Sequence, residues 1–181
     1  DNYSAAADVA RTFSIAKANQ TITVSTHAPA TAAFNSIFTV AASSSSGLPV
    51  AYSSAGSCSN VGPEFTMTSG AGICTVIYDQ AGDANYNAAA QVTETVTATK
   101  LSQTISFAAL ADKTVGDPDF ELSASASSGL TVSFSASGQC SVTGATVHLT
   151  GAGSCTITAS QAGDDNYSAA ADVARTFSIA K

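Results

Sequence analysis

Only 10% of the 181 residues are charged, and the formal net charge is −7, so there is no basic face to neutralise the phosphates of a nucleic acid. Hydrophobic residues make up 45% of the chain and are regularly patterned, which excludes a disordered tract. No run approaches the roughly 20 apolar residues of a membrane-crossing helix, so no membrane insertion is expected in this segment.

The chain opens on DNYSAAADVARTFSIAK, Asp1–Lys17, and the same seventeen letters return 164 residues later as Asp165–Lys181. An identity of that length marks a repeat rather than a shared structural tendency. Residues 1–17 are therefore expected to be the closing strand region of a preceding repeat, whose Val9, Phe13 and Ile15 cannot be buried by so short a piece. Their expected role is contact with another copy, either by strand addition to a second chain or within a continuous periodic fibre. No signal peptide or anchor is visible, and in a sequence that opens inside a repeat that says nothing about export.

Two versions of one motif follow, residues 18–100 and 101–181. Gln20-Thr21-Ile22 returns as Gln103-Thr104-Ile105, and Ser46-Gly47-Leu48 as Ser128-Gly129-Leu130. Gly70-Ala71-Gly72 with Cys74 returns as Gly151-Ala152-Gly153 with Cys155. Gln80-Ala81-Gly82-Asp83 with Asn85-Tyr86 returns as Gln161-Ala162-Gly163-Asp164 with Asn166-Tyr167. A solenoid repeat would be shorter, about 20–50 residues, so each version reads as a small self-folding module.

Within each module apolar residues alternate with Ser and Thr at a period of two, the pattern of strands with one buried face. The first carries Ile22/Val24, Phe38/Val40, Val50/Tyr52, Phe65/Met67, Cys74/Val76/Tyr78 and Val96/Ala98. The second carries Ile105/Phe107, Phe120/Leu122, Val132/Phe134, Val147/Leu149, Cys155/Ile157 and Phe177/Ile179. Ser-Gly, Thr-Gly, Gly-Ala-Gly and Ala-Gly-Asp turns separate them. The run Ala169–Ala171 could form one helical turn, but no helical period sustains it. Six or seven short strands in about 80 residues predict two tandem immunoglobulin-like β-sandwiches, an all-β chain.

Cys58 and Cys74 occupy the same places in the first module as Cys140 and Cys155 in the second. A structural zinc needs four clustered Cys or His ligands. Each module has two Cys and one His, and His27 and His148 are not equivalent. Disulfides Cys58–Cys74 and Cys140–Cys155 are the expectation, closing loops worth about 3 kcal/mol each and implying an oxidising compartment, extracellular or at the cell surface.

Catalytic constellations are missing from the sequence: no Gly-x-Ser-x-Gly elbow, and no Lys-Ser/Thr following the Gly-Ala-Gly turns as a phosphate loop requires. His148, between Val147 and Leu149, reads as an outward strand residue. No catalytic residue and no cofactor is expected. Each of the turns Gly82–Tyr86 and Gly163–Tyr167 gathers carboxylate and amide oxygens, from Asp83 in the first and from Asp164 and Asp165 in the second, a chemistry that suits Ca²⁺. One turn supplies too few oxygens, however, so the expected role of these aspartates is to cap the turn. Tyr86 and Tyr167 are expected to form sandwich corners, their hydroxyls returning to the backbone. Asp112, Asp117 and Asp119 form a second acidic group with no counterpart in the first module. The Asn-x-Ser/Thr triplets at Asn2, Asn19 and Asn166 are of the kind that arise by chance in a Ser/Thr-rich chain.

Taken together, Gln-Thr-Ile, Ser-Gly-Leu-x-Val, Gly-Ala-Gly-x-Cys-Thr and Gln-Ala-Gly-Asp-x-Asn-Tyr resemble the bacterial Ig-like tandem repeats of large secreted and surface proteins. The resemblance covers residues 18–181. The first module departs from it at Thr26–Ile37, where a neutral stretch replaces Asp112–Asp119. What the resemblance implies is a non-enzymatic stalk, adhesin spacer or filament subunit whose partners are other copies of the repeat, end to end. The alternative is a carbohydrate- or receptor-binding adhesion module, although a chain without Trp is poor in flat sugar platforms.

Overall fold

The structure, a computed structural model, describes residues 2–181. Its first nine strands are β1 (Ile22–Thr26), β2 (Thr31–Ala33), β3 (Ile37–Thr39), β4 (Ala41–Ser44), β5 (Ala51–Gly56), β6 (Cys58–Val61), β7 (Glu64–Met67), β8 (Ile73–Asp79) and β9 (Val92–Thr99). The next nine are β10 (Ile105–Phe107), β11 (Lys113–Thr114), β12 (Phe120–Glu121), β13 (Ala124–Ala126), β14 (Ser133–Gly138), β15 (Cys140–Thr143), β16 (Thr146–Leu149), β17 (Gly153–Ser160) and β18 (Val173–Ala180). No helix occurs among the described residues, and Ala169–Ala171 lies in a loop.

Strand pairing is the same in both halves. One four-stranded sheet runs β2-β9-β8-β5, and its counterpart runs β11-β18-β17-β14. Facing them are β3-β7-β6 with β1-β4, and β12-β16-β15 with β10-β13. The chain's first strand is divided in two. β1 pairs antiparallel with β4; the chain then crosses to the opposite sheet, where β2 pairs parallel with β9. Pro29 lies in that crossing, where a residue without an N–H interrupts no ladder. The second half makes the same crossing, with β10 on β13 and β11 parallel to β18.

Alternation sets which face is buried. In β8, Cys74, Val76 and Tyr78 are buried while the residues between them are not. In β17 the same places hold Cys155, Ile157 and Ala159. Phe65, Met67, Val76, Tyr78 and Val96 form the centre of one core; Phe107, Val147, Ile157, Phe177 and Ile179 form the centre of the other. The chain is thus two β-sandwiches, each around its own core.

The turn from β5 into β6 switches sheets within two residues. Gly56 makes it at φ 81°, and a Cβ there would lie 2.1 Å from the Ile73 carbonyl oxygen. Only glycine fits that corner. It places Cys58 at the start of one sheet opposite Cys74 in the other, and the disulfide joins them with Cα atoms 5.2 Å apart. Gly138 plays the same part before the Cys140–Cys155 disulfide, whose Cα atoms are 5.6 Å apart. Both bonds tie sheet to sheet through the core.

The strands that alternation does not reveal are β2, β4, β6, β11, β13 and β15. They are short, built largely from Ala, Ser and Thr, or have a single buried residue. Val40, expected to continue the strand of Phe38, sits instead between β3 and β4. It is buried, and its N–H donates to Pro63 O at 3.0 Å.

Candidate functional site

An extended polar structure lies where one sandwich ends and the next begins. β9 ends at Thr99, and β10 starts six residues later. Between them Leu101 forms an isolated parallel bridge with Tyr167. The Leu101 N–H donates to Asn166 O at 2.9 Å, and the Ser168 N–H donates to Leu101 O at 2.8 Å. The Lys100 ammonium donates to Asp164 O. A linker pinned by three hydrogen bonds has little freedom to swivel.

The turn that receives it is built for the task. Gly163 adopts φ 78°, and the Asp164 carboxylate accepts the N–H groups of Asn166 and Tyr167, both at 2.8 Å. That is an Asx-type turn, in which the side chain satisfies the backbone locally. Beneath it, Gln103 is buried, 6% exposed. Its amide donates to Gln161 Oε1 at 2.9 Å and to Ser168 O at 2.8 Å, while Ser128 donates to its carbonyl oxygen. A buried amide with all these partners fixes register, because any slip would orphan it.

The first sandwich then meets the same turn directly. The Gly70 N–H donates to Asn166 Oδ1 at 3.0 Å, and the ring of Phe34 packs edge-on against Tyr167 with centroids 5.8 Å apart. A Cβ on Gly70 would fall 2.7 Å from Asp165 O and 2.9 Å from Asn166 Cα. Glycine is what allows the two sandwiches to approach this closely.

An equivalent receiving turn, with Ala84 in the place of Asp165, follows Lys17. Ala18 bridges Tyr86, with the Ala18 N–H on Asn85 O and the Asn87 N–H on Ala18 O, both at 2.8 Å. The Lys17 ammonium donates to Asp83 O at 2.7 Å. Asp83 accepts from the Asn85 and Tyr86 N–H groups at 2.7 and 2.8 Å, and Gln20 donates to Gln80 Oε1 at 2.6 Å and to Asn87 O at 2.7 Å. Lys17 therefore stands to this turn as Lys100 stands to the next.

Val9, Phe13 and Ile15 are 79%, 85% and 86% exposed. Their duplicates in β18 are Val173, Phe177 and Ile179, of which the last two are each 3% exposed in the second core. No strand forms among residues 2–16.

The Asp83 and Asp164 carboxylates each accept N–H groups of their own turn, and the Asp165 backbone carbonyl faces Gly70. Among the described residues no three His, Cys, Asp or Glu side chains converge as metal ligands would. Asp112, Asp117 and Asp119 are likewise divided: Asp112 accepts the Ser178 N–H, Asp117 the Thr114 N–H, and Asp119 pairs with His148 at 2.8 Å.

The tyrosine corner is also a correction. Tyr86 and Tyr167 contribute their backbones to the linker bridges, and Tyr167 contributes its ring to Phe34. The hydroxyl that returns to the backbone is that of Tyr52, which accepts the Ala42 N–H at 3.0 Å. The fully buried tyrosine is Tyr78, which donates to Glu94 at 2.6 Å. Burial raises the Tyr78 phenol above its ordinary value, and Glu94 beside it adds to the effect. Burial pushes Glu94 upward too, but the Ala28 N–H, the Tyr78 hydroxyl and His27 outweigh it and hold its carboxyl below the ordinary range.

A separate hollow of about 470 Å³ lies among Thr131–Phe134 and Gly144–Ala145, a lining with no titratable group. Sequence alternation missed Phe34 and Gly70 as interface residues and treated Gln20, Gln80, Gln103 and Gln161 only as repeat markers. Their signal was present: a polar residue kept at both copies beside an apolar strand is a candidate for buried hydrogen bonding.

No family model matches the sequence, and no curated protein matches it. Solved structures similar to the chain include Drosophila N-cadherin EC1–4, at 10% identity and TM-score 0.33, covering 88% of this chain and 50% of that one. Human protocadherin-24 EC1–2 matches at 14% identity and TM-score 0.35, covering 81% and 88%. Drosophila N-cadherin EC1–3 matches at 11% identity and TM-score 0.32, covering 90% and 64%. This chain therefore spans about half the length of the EC1–4 chain. Likeness at these scores carries no argument about function, and the sandwich assignment stands on the strand pairing above.

Proposed function

We propose that this chain is a non-enzymatic spacer: a repeat unit of an extracellular array, a bacterial surface stalk, adhesin or filament, in which sandwiches are stacked end to end. The units are residues 18–100 and 101–181, with residues 1–17 the closing strand region of the repeat before. The partners are further copies of the same repeat. The junction carries this reading. A flexible tether would leave Gly70, Phe34 and the Asn166–Tyr167 turn in water, whereas here they meet in a hydrogen bond and an aromatic contact. The two disulfides are in keeping with an oxidising exterior.

The direct test is whether the two sandwiches tumble together. Backbone ¹⁵N relaxation of the oxidised chain is expected to give one rotational correlation time for β1–β9 and β10–β18. Two independent times would show a flexible tether and overturn the spacer reading. A glycan array probed with the same oxidised chain is expected to show no retention; specific retention would favour a carbohydrate-binding module.

A further inference from the structure

The far end of the second sandwich copies the end of the first, with changed side chains. The Val115 N–H donates to Ala180 O at 2.9 Å, as the Phe34 N–H donates to Thr99 O at 2.9 Å. Val115 thus stands where Phe34 stands, and it is 50% exposed. Gly151 stands where Gly70 stands. A Cβ on Gly151 would meet Gln139 Oε1 at 2.8 Å, whereas on Gly70 it would meet the next sandwich's Asp165 O at 2.7 Å. Gln139 therefore covers the glycine that the neighbouring turn covers at the other joint. The first sandwich has Ser57 at that place, drawn back to donate to Ala71 O at 2.7 Å.

The complementary face lies at the start of the first sandwich. A cleft of about 380 Å³ runs between Ile15–Ala18 and Ala84–Tyr86. Its Ala84–Tyr86 wall is the counterpart of the Asp165–Tyr167 turn that Phe34 and Gly70 meet at the other joint. Its turn has the same Asx hydrogen bonds and the same linker bridge.

We propose that this cleft receives the Val115–Gln139–Gly151 end of another copy's second sandwich, and that the resulting joint is looser than the Phe34–Tyr167 joint. The proposal rests on the spacer reading and adds to it: an array alternates tight and loose joints, one of each per 164-residue repeat. Valine in place of phenylalanine removes the ring-on-ring contact with tyrosine. Gln139 must swing aside, at the cost of its side-chain freedom, before Gly151 can reach Asn85.

The test uses the full chain extended by a second copy of residues 18–181, with nitroxide labels introduced at Val61 and Thr143 without added cysteines. Both positions are exposed and structurally equivalent. Dipolar spectroscopy reads the tight joint from Val61 to Thr143 within one copy, and the other joint from Thr143 of the first copy to Val61 of the second. The expected distribution is at least twofold wider for the second pair. The double substitution Val115→Phe with Gln139→Ser is expected to narrow it to the width of the first. Equal narrow widths in the unsubstituted chain, or no narrowing in the substituted one, would overturn this inference while leaving the spacer reading in place. Broad distributions at both joints would overturn the spacer reading itself.

Discussion

Gly70→Ala is the sharpest perturbation of the junction. The added methyl would lie 2.7 Å from Asp165 O, 2.9 Å from Asn166 Cα and 3.0 Å from Asn166 O, all backbone atoms with no flexible end to yield. The sandwiches must separate to admit it. Separation breaks the Gly70–Asn166 hydrogen bond, worth about 1 kcal/mol net, and the Phe34–Tyr167 contact, worth about 0.5–1.5 kcal/mol. A loss of about 1.5–2.5 kcal/mol shifts the docked-to-undocked ratio roughly 10- to 70-fold. Gly70 is not among the glycines with positive φ, so alanine is compatible with its backbone and the first sandwich should keep its unfolding midpoint. The expected ¹⁵N relaxation result is a single correlation time in the parent chain and two in the variant. Gly151→Ala serves as the control, because its methyl meets only the movable Gln139 side chain. If Gly70→Ala retained one common correlation time, the claim that this contact holds the sandwiches together would be wrong.

Replacing Cys58 and Cys74 together by serine should lower the stability of the first sandwich by about 3 kcal/mol and leave the second sandwich's calorimetric transition in place; a matching loss in both would contradict separate cores. Glu94 is held below its ordinary range, so its contribution is present above the unfolded carboxylate value of about 4.3 and is lost as pH falls below it. Tyr78 is raised, so its contribution is full below about pH 10 and is lost as pH rises beyond that. Tyr78→Phe should cost about 1.5–3 kcal/mol, the usual value of a hydrogen bond to a charged group, and remove the alkaline sensitivity of the first sandwich; an unchanged alkaline melting profile would refute the assignment. Asp164→Ala should destabilise the receiving turn by about 1 kcal/mol, and millimolar Ca²⁺ should leave the parent chain's unfolding midpoint where it is. A calcium-dependent rise would restore the aspartates as ligands.

The fold was legible because alternation survives wherever a strand has several buried residues. Cys74, Val76 and Tyr78 announce β8, and Phe177 and Ile179 announce β18. β6 and β15 were not legible, since each buries only its cysteine and the switch at Gly56 or Gly138 is a backbone event. The disulfide pairs followed from equivalence between copies. The junction did not, because its partners are far apart in sequence and of ordinary kinds: Gly70 meets Asn166, and Phe34 meets Tyr167. The Asp–Asn–Tyr turn was visible as a motif, but its task depends on what docks against it, which a strand period does not encode. The glutamines were visible as repeats, while their burial beside Ser46 and Ser128 required the fold.

The central claim is that the two sandwiches of each repeat form one stiff pair and that the pairs are held end to end. Small-angle X-ray scattering from arrays of two, four and six sandwiches tests it most directly. The account predicts a longest dimension that grows more steeply than the square root of the number of sandwiches, each repeat adding a stiff pair whose joint to the next bends within limits. Growth as the square root of that number, the behaviour of freely jointed units, would contradict it.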